Sequence, residues 1–104
     1  MQLVVIGYKT CGYYIDITDK LTQAGIRFDN IIAKDHKDLV CKVYELGFNR
    51  KLVGAYGFTS PQVFLKINKD ILWCIGGHDN TIKFGLLKMK EMIENDKKNE
   101  QIYF

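Results

Sequence analysis

The run Leu3-Val4-Val5-Ile6 constrains this chain more than any other stretch. Four consecutive apolar residues, three of them β-branched, leave no polar face, as in a strand buried on both sides of a parallel sheet. After a short loop, Tyr14, Ile17, Leu21 and Ala24 recur three and four residues apart, which puts them on one face of a helix. Gly25 is a common kind of C-terminal stop. Residues 27–32 read as a second strand. Strand, helix and strand within about thirty residues make a βαβ unit, whose crossover is right-handed in nearly all folds.

The remaining pattern continues in the same alternation. Asp35 can cap a second helix with Leu39, Val43 and Leu46 as its buried stripe and Gly47 as its stop. A glycine-rich loop over 49–58 follows. Residues 62–67 and 71–75 read as strands of a hairpin joined by Asn68-Lys69-Asp70. Gly76-Gly77 ends it, and Asp79 or Asn80 can cap a third helix with Ile82, Leu86, Met89 and Ile93 facing the core. The order β-α-β-α-β-β-α predicts an α/β fold with a four-stranded mixed sheet flanked by three helices. No repeat or linker divides the chain, so 1–104 reads as one domain, with 93–104 as a frayed helix end or tail.

Composition sets the class. With 47% apolar and 26% charged residues, the 104-residue chain fits a soluble globular domain rather than a disordered one. Three cysteines, an odd number, argue against a disulfide framework. The start lacks the basic stretch, long apolar run and small-residue site of a secretory leader, so the expected setting is a reducing cytoplasm. The net charge of +3 owes much to Lys88, Lys90, Lys97 and Lys98, a pattern typical of a solvated helix face. No arginine-rich or basic–aromatic stripe points to nucleic acid, and no apolar run is long enough for a membrane span.

Cys11 carries the chemistry. It stands at the predicted start of the first helix, where free N–H groups and the helix dipole favour an anion. Thiols in such places drop from a pKa of roughly 8.5 into the range of about 3.5–7.5. The thiolate is the attacking species in disulfide exchange. Lys9 would assist if its ammonium reached the sulfur. A free cysteine also has a plainer use as a small buried hydrophobe. Pro61, the one proline, precedes a strand in Thr59-Ser60-Pro61-Gln62-Val63-Phe64, and Gly76-Gly77-His78-Asp79-Asn80 opens a helix, where backbone can approach an anionic ligand.

Taken together, Tyr8-Lys9-Thr10-Cys11-Gly12-Tyr13-Tyr14, Thr59-Ser60-Pro61-Gln62-Val63-Phe64 and Ile75-Gly76-Gly77-His78-Asp79-Asn80 resemble three motifs of the glutaredoxin family, in the family's order. These motifs are Cys-Pro-Tyr-Cys, Thr-Val-Pro-Gln-Val-Phe and Ile-Gly-Gly-x-Asp-Asp. The resemblance covers residues 3–93 and implies a thioredoxin-like fold. The tract before Thr59, with Gly54 and Gly57, is also similar to the small glutaredoxins of large bacteriophages.

The resemblance implies that Cys11 attacks a mixed disulfide and that Pro61 is cis. It implies a glutathione site at Lys9, Tyr13, Thr59, Ser60, Pro61, Gly77, His78, Asp79 and Asn80. Within it, Ser60 offers backbone groups to the cysteine of glutathione, and the turn at 77–80 holds the γ-glutamyl end. Three departures matter. Tyr8 stands where the family commonly has lysine, Asn80 replaces an aspartate, and Tyr14 replaces the second motif cysteine. Lacking that cysteine, Cys11 is expected to follow a monothiol route with glutathione as co-substrate. Glutathionylated proteins, small disulfides and ribonucleotide reductase are all open as substrates. Alternatives are a glutathione-ligated [2Fe–2S] cluster bound through Cys11, as in monothiol relatives with Cys-Gly-Phe-Ser, and a non-catalytic glutathione- or partner-binding module. Cys41 and Cys74 read as structural, His36 as a surface residue, and His78 as a solvent-facing turn histidine without metal-ligand spacing. Trp73, Phe28, Phe64 and Phe84 read as packing residues.

Overall fold

The computed structural model describes residues 1–54 and 58–102, with side chains described to residue 96. Gly57, the side chains of Lys97 and Lys98, and residues 103–104 of the expected tail lie outside the described residues. The elements are β1 (Gln2–Tyr8), α1 (Gly12–Gln23), β2 (Asp29–Ala33), α2 (His36–Gly47), β3 (Lys51–Gly54), β4 (Gln62–Lys66), β5 (Ile71–Gly76), α3 (His78–Phe84) and α4 (Leu86–Ile102).

One mixed sheet runs β2-β1-β4-β5-β3. The run read as a buried strand is the middle of β1. It pairs in parallel with β2, from Val4 opposite Asp29 to Tyr8 opposite Ala33, and antiparallel with β4 on its other side. Flanked on both edges, its side chains alternate between two cores. Leu3 and Val5 join Tyr14, Ile17, Leu21, Val63, Leu65 and Met89 on the face covered by α1, α3 and α4. Val4 and Ile6 join Leu39, Val43, Phe64, Leu72 and Cys74 beneath α2. This period-two division explains why the run carries no polar residue.

The result is an α/β fold of the thioredoxin-like kind, with one strand and one helix more than the sequence pattern predicts. The extra strand lies inside the glycine-rich loop. β3 pairs in parallel with β5, which satisfies backbone groups that would otherwise form a bare sheet edge. The extra helix arises at Gly85, where φ is 101° and the N–H bonds the Thr81 carbonyl at 3.2 Å. L-residues resist that backbone conformation, so the expected single third helix breaks there into α3 and α4. The break also changes the stripe. Met89 is fully buried and Leu86 and Ile93 pack on the core, but Ile82 points outward.

Local caps follow the sequence in part. Asp35 caps α2, its carboxylate accepting the Asp38 N–H at 2.8 Å. The cap of α3 is Gly77, rather than Asp79 or Asn80, and the Thr81 hydroxyl donates to the Gly77 carbonyl at 2.7 Å. Gly47 is the last residue of α2 rather than a left-handed stop; the chain reverses at Asn49, with φ 63°. In the hairpin turn, Asn68 accepts the N–H groups of Asp70 and Ile71. Among the described residues, no helix is long and apolar enough to cross a membrane.

Candidate functional site

The chain leaves the C-terminal end of β1 and turns at once into α1, with Cys11 as the N-cap residue. Its N–H donates to the Tyr8 carbonyl and its carbonyl accepts the Ile15 N–H, both at 3.0 Å. Because β4 runs antiparallel to β1, the start of β4 lies beside the end of β1. The Ser60 hydroxyl accepts the Tyr8 N–H at 2.9 Å, which ties the two segments together. The half-buried Cys11 thiol donates to the Ser60 carbonyl, with Sγ 3.5 Å from the oxygen. The Ser60–Pro61 bond is cis.

These surroundings set the thiol's acidity. Burial pushes the Cys11 pKa up, but the Tyr14 N–H, the Ser60 side chain, the Tyr13 N–H and the charge of His78 together pull it below the ordinary thiol value. Cys11 therefore reaches its thiolate form more readily than a free cysteine does.

A cleft of about 420 Å³ opens beside it, lined by Tyr13, Thr59, Ser60 and the turn 77–80. Gly76 permits the close approach of that turn. Its φ is 122°, and a Cβ there would lie 2.8 Å from Cβ of Asn80. The cleft thus gathers seven of the residues singled out from sequence. Pro61 is buried just behind Ser60, and Lys9 is exposed on the loop before Cys11; neither lines the cleft. A larger hollow of about 690 Å³ lies at the far end of β1 and α1, bounded by residues such as Leu3, Gly25 and Phe28, with no cysteine in its walls.

His78 differs from the solvent-facing residue expected. Its side chain is largely covered, with Nε2 2.6 Å from Asp16 Oδ2 and Nδ1 2.9 Å from Asp79 Oδ1. Its ring lies 5.1 Å from the exposed Tyr13 ring, tilted by 50°. Asp16 also accepts from Lys20 Nζ at 2.8 Å. The Asp16 bond and then the Asp79 bond hold the His78 pKa above its ordinary value, and Lys20 followed by His78 holds Asp16 below its own. Sequence reading missed Asp16, whose partner stands 62 residues away.

Tyr14, in the place of a second motif cysteine, belongs to the core. Its ring packs against Gly7 and its hydroxyl donates to Asn30 Oδ1. Cys74 is buried under α2, on the opposite side of the sheet from Cys11. There its Sγ lies 3.5 Å from Gln62 Oε1, and burial pushes its pKa up to about 11. Cys41, expected to be structural, is exposed on α2; the buried stripe of that helix is Leu39, Val43 and Leu46, which leaves position 41 on its outer side. The sheet and α2 thus separate both thiols from Cys11. His36 is exposed, with Nδ1 3.5 Å from the Tyr8 hydroxyl. Phe64 is fully buried, Phe28 packs on the core, and Trp73 meets Phe84 edge-on at 5.3 Å. Among the described residues, no group of three or more His, Cys, Asp or Glu could hold a metal ion.

No protein-family model, curated protein or solved structure matches the chain.

Proposed function

We propose that this chain is a glutaredoxin-like, glutathione-dependent thiol–disulfide oxidoreductase of the cytoplasm that works through Cys11 alone. The observation that carries the reading is the acidified Cys11 thiol, 3.5 Å from the Ser60 carbonyl and beside the cleft of Tyr13, Ser60 and the 77–80 turn. A γ-glutamyl tripeptide needs such a surface: backbone edge at its cysteine, an aromatic wall, and a polar turn for its far end. Ser60 supplies the edge, Tyr13 the wall, and Gly77, Asp79 and Asn80 the turn. Both ring nitrogens of His78 already face carboxylates, so His78 meets the ligand with its ring rather than with a hydrogen bond.

The chemistry is two exchanges. The Cys11 thiolate attacks the glutathionyl sulfur of a glutathionylated substrate, a Cys11–glutathione disulfide forms, and the substrate thiolate leaves and takes a proton from water. A second glutathione, as thiolate, attacks the glutathionyl sulfur on Cys11. Oxidised glutathione departs and the Cys11 thiolate returns. The net change exchanges one disulfide for another: the substrate thiol is freed, one glutathione is consumed, and its sulfur joins the glutathionyl group taken from the substrate as oxidised glutathione. Tyr14 offers no thiol for an internal release step.

Turnover of a glutathionylated peptide with glutathione tests the proposal. The Cys11→Ser variant should lose the activity, and the wild-type protein should carry one glutathionyl group on Cys11 by mass spectrometry. Full activity in Cys11→Ser would refute it. Tight glutathione binding without turnover would favour a binding module. A [2Fe–2S] cluster would find one thiolate here, Cys11, and draw its other ligands from outside the chain. Cluster absorbance after reconstitution with iron, sulfide and glutathione would favour that reading.

A further inference from the structure

We propose that Asp16 is a positioning residue that keeps His78 as an imidazolium, and that this cation supports the Cys11 thiolate. The proposal rests on the reading of Cys11 as the reactive thiol.

An ionised carboxylate only accepts hydrogen bonds, and a neutral imidazole has a single N–H. Yet both nitrogens of His78 stand within hydrogen-bond reach of carboxylate oxygens, at 2.6 Å from Asp16 and 2.9 Å from Asp79. Only the doubly protonated ring can donate to both. Asp16 stays ionised because Lys20, one turn further along α1, donates to its other oxygen. The groups facing His78 are thus Asp16, backed by Lys20, and Tyr13 on α1, Asp79 on α3, and Cys11 at the α1 start.

The row Lys20, Asp16, His78, Asp79 alternates in sign and carries no net charge while His78 is protonated. When His78 loses its proton, one of its two hydrogen bonds has no donor and the row becomes net negative. That field opposes a thiolate at Cys11 and repels an anionic ligand from the cleft. The Asp16–His78 bond also spans from α1 to α3, holding the histidine wall of the cleft to the helix that Cys11 caps. Asp16 does not itself line the cleft and is not among the groups that set the Cys11 thiol's acidity, so it acts through His78, which does both.

Two measurements test this. The first is the iodoacetamide alkylation rate of Cys11 against pH, read by peptide mass spectrometry on the full chain without glutathione. At neutral pH, Asp16→Asn and His78→Gln should react roughly two- to fivefold more slowly, the effect of losing one solvent-accessible charge contact. Asp16→Glu should restore the rate, and His78→Lys, which keeps its charge to higher pH, should hold the rate where wild type falls behind it as His78 loses its proton. The second is the nitrogen NMR signature of His78, in which both ring nitrogens should stay protonated to higher pH in the wild type than in Asp16→Asn. Unchanged alkylation in folded Asp16→Asn and His78→Gln, or a His78 that loses its second proton at the same pH in wild type and Asp16→Asn, would overturn the proposal. Slowed alkylation in a protein that never turns over glutathione would uphold it and count against the glutathione reading. Turnover with unmoved alkylation would do the reverse.

Discussion

Replacing Tyr14 by cysteine recreates a Cys-x-x-Cys motif on paper, yet the structure predicts a damaged fold before any dithiol cycle. Tyr14 is 5% exposed and sits among Leu3, Val5, Ile17 and Leu21. Removing a buried aromatic ring typically costs about 3–5 kcal/mol, of which the remaining thiol returns a part. The lost hydrogen bond to Asn30 adds about 1 kcal/mol. A net loss of about 3 kcal/mol is a large share of the roughly 5–15 kcal/mol that holds a domain together, and lowers Tm by at least about 12 °C. Gly7 provides an internal check. A Cβ on Gly7 would stand 2.9 Å from Cγ of Tyr14 and 3.0 Å from Oγ of Ser60, so Gly7→Ala alone should cost about 1–3 kcal/mol through overpacking. With the ring gone, the first clash disappears. The double variant Gly7→Ala/Tyr14→Cys should be less destabilised than the sum of the singles, by about 1 kcal/mol or more. Urea unfolding of the four proteins at a common m-value measures this cycle. A Tyr14→Cys protein with the wild-type midpoint, or strict additivity in the double variant, would refute the packing argument.

Two further outcomes follow from the site. Native labelling at neutral pH should modify Cys11 and spare Cys74, whose burial holds its pKa near 11; Cys74 should gain reactivity in urea or as pH rises toward that value, and prompt native labelling of Cys74 would contradict its place under α2. The Gly76→Ala variant should lose about 1–3 kcal/mol of stability and show a raised KM for glutathione with a smaller change in kcat. At φ 122° its new methyl group displaces Asn80 from the cleft wall, and an unchanged KM would remove that turn from the binding surface.

Much of the fold is legible because its signals are local. The β1 run, the α1 stripe of Tyr14, Ile17 and Leu21, the Asp35 cap and the Asn68 turn each announce themselves within a few residues. β3 does not. Only Leu52 and Val53 lie between Lys51 and Gly54, too few for a period, and the strand exists because β5 offers it an edge. The division of α3 from α4 is equally hidden, since the spacing of Ile82, Leu86, Met89 and Ile93 fits one continuous helix and only the backbone at Gly85 reveals the break. The cleft residues were legible through three short motifs. Asp16 was not: an acidic residue on a polar helix face looks like any solvated charge until the sheet topology carries His78 to it across 62 positions.

The sheet between Cys11 and Cys74, with Cys41 beyond α2, has a consequence for oxidant damage. Thiolates that meet peroxide become sulfenic acids, and those with a neighbouring thiol escape further oxidation by closing a disulfide. Cys11 has no such neighbour within its own fold. Its sulfenic form must be captured by a thiol from solution or proceed to the irreversible sulfinic state. Survival of the protein under peroxide should therefore scale with the surrounding thiol concentration, making the chain's lifetime a readout of the reducing capacity around it.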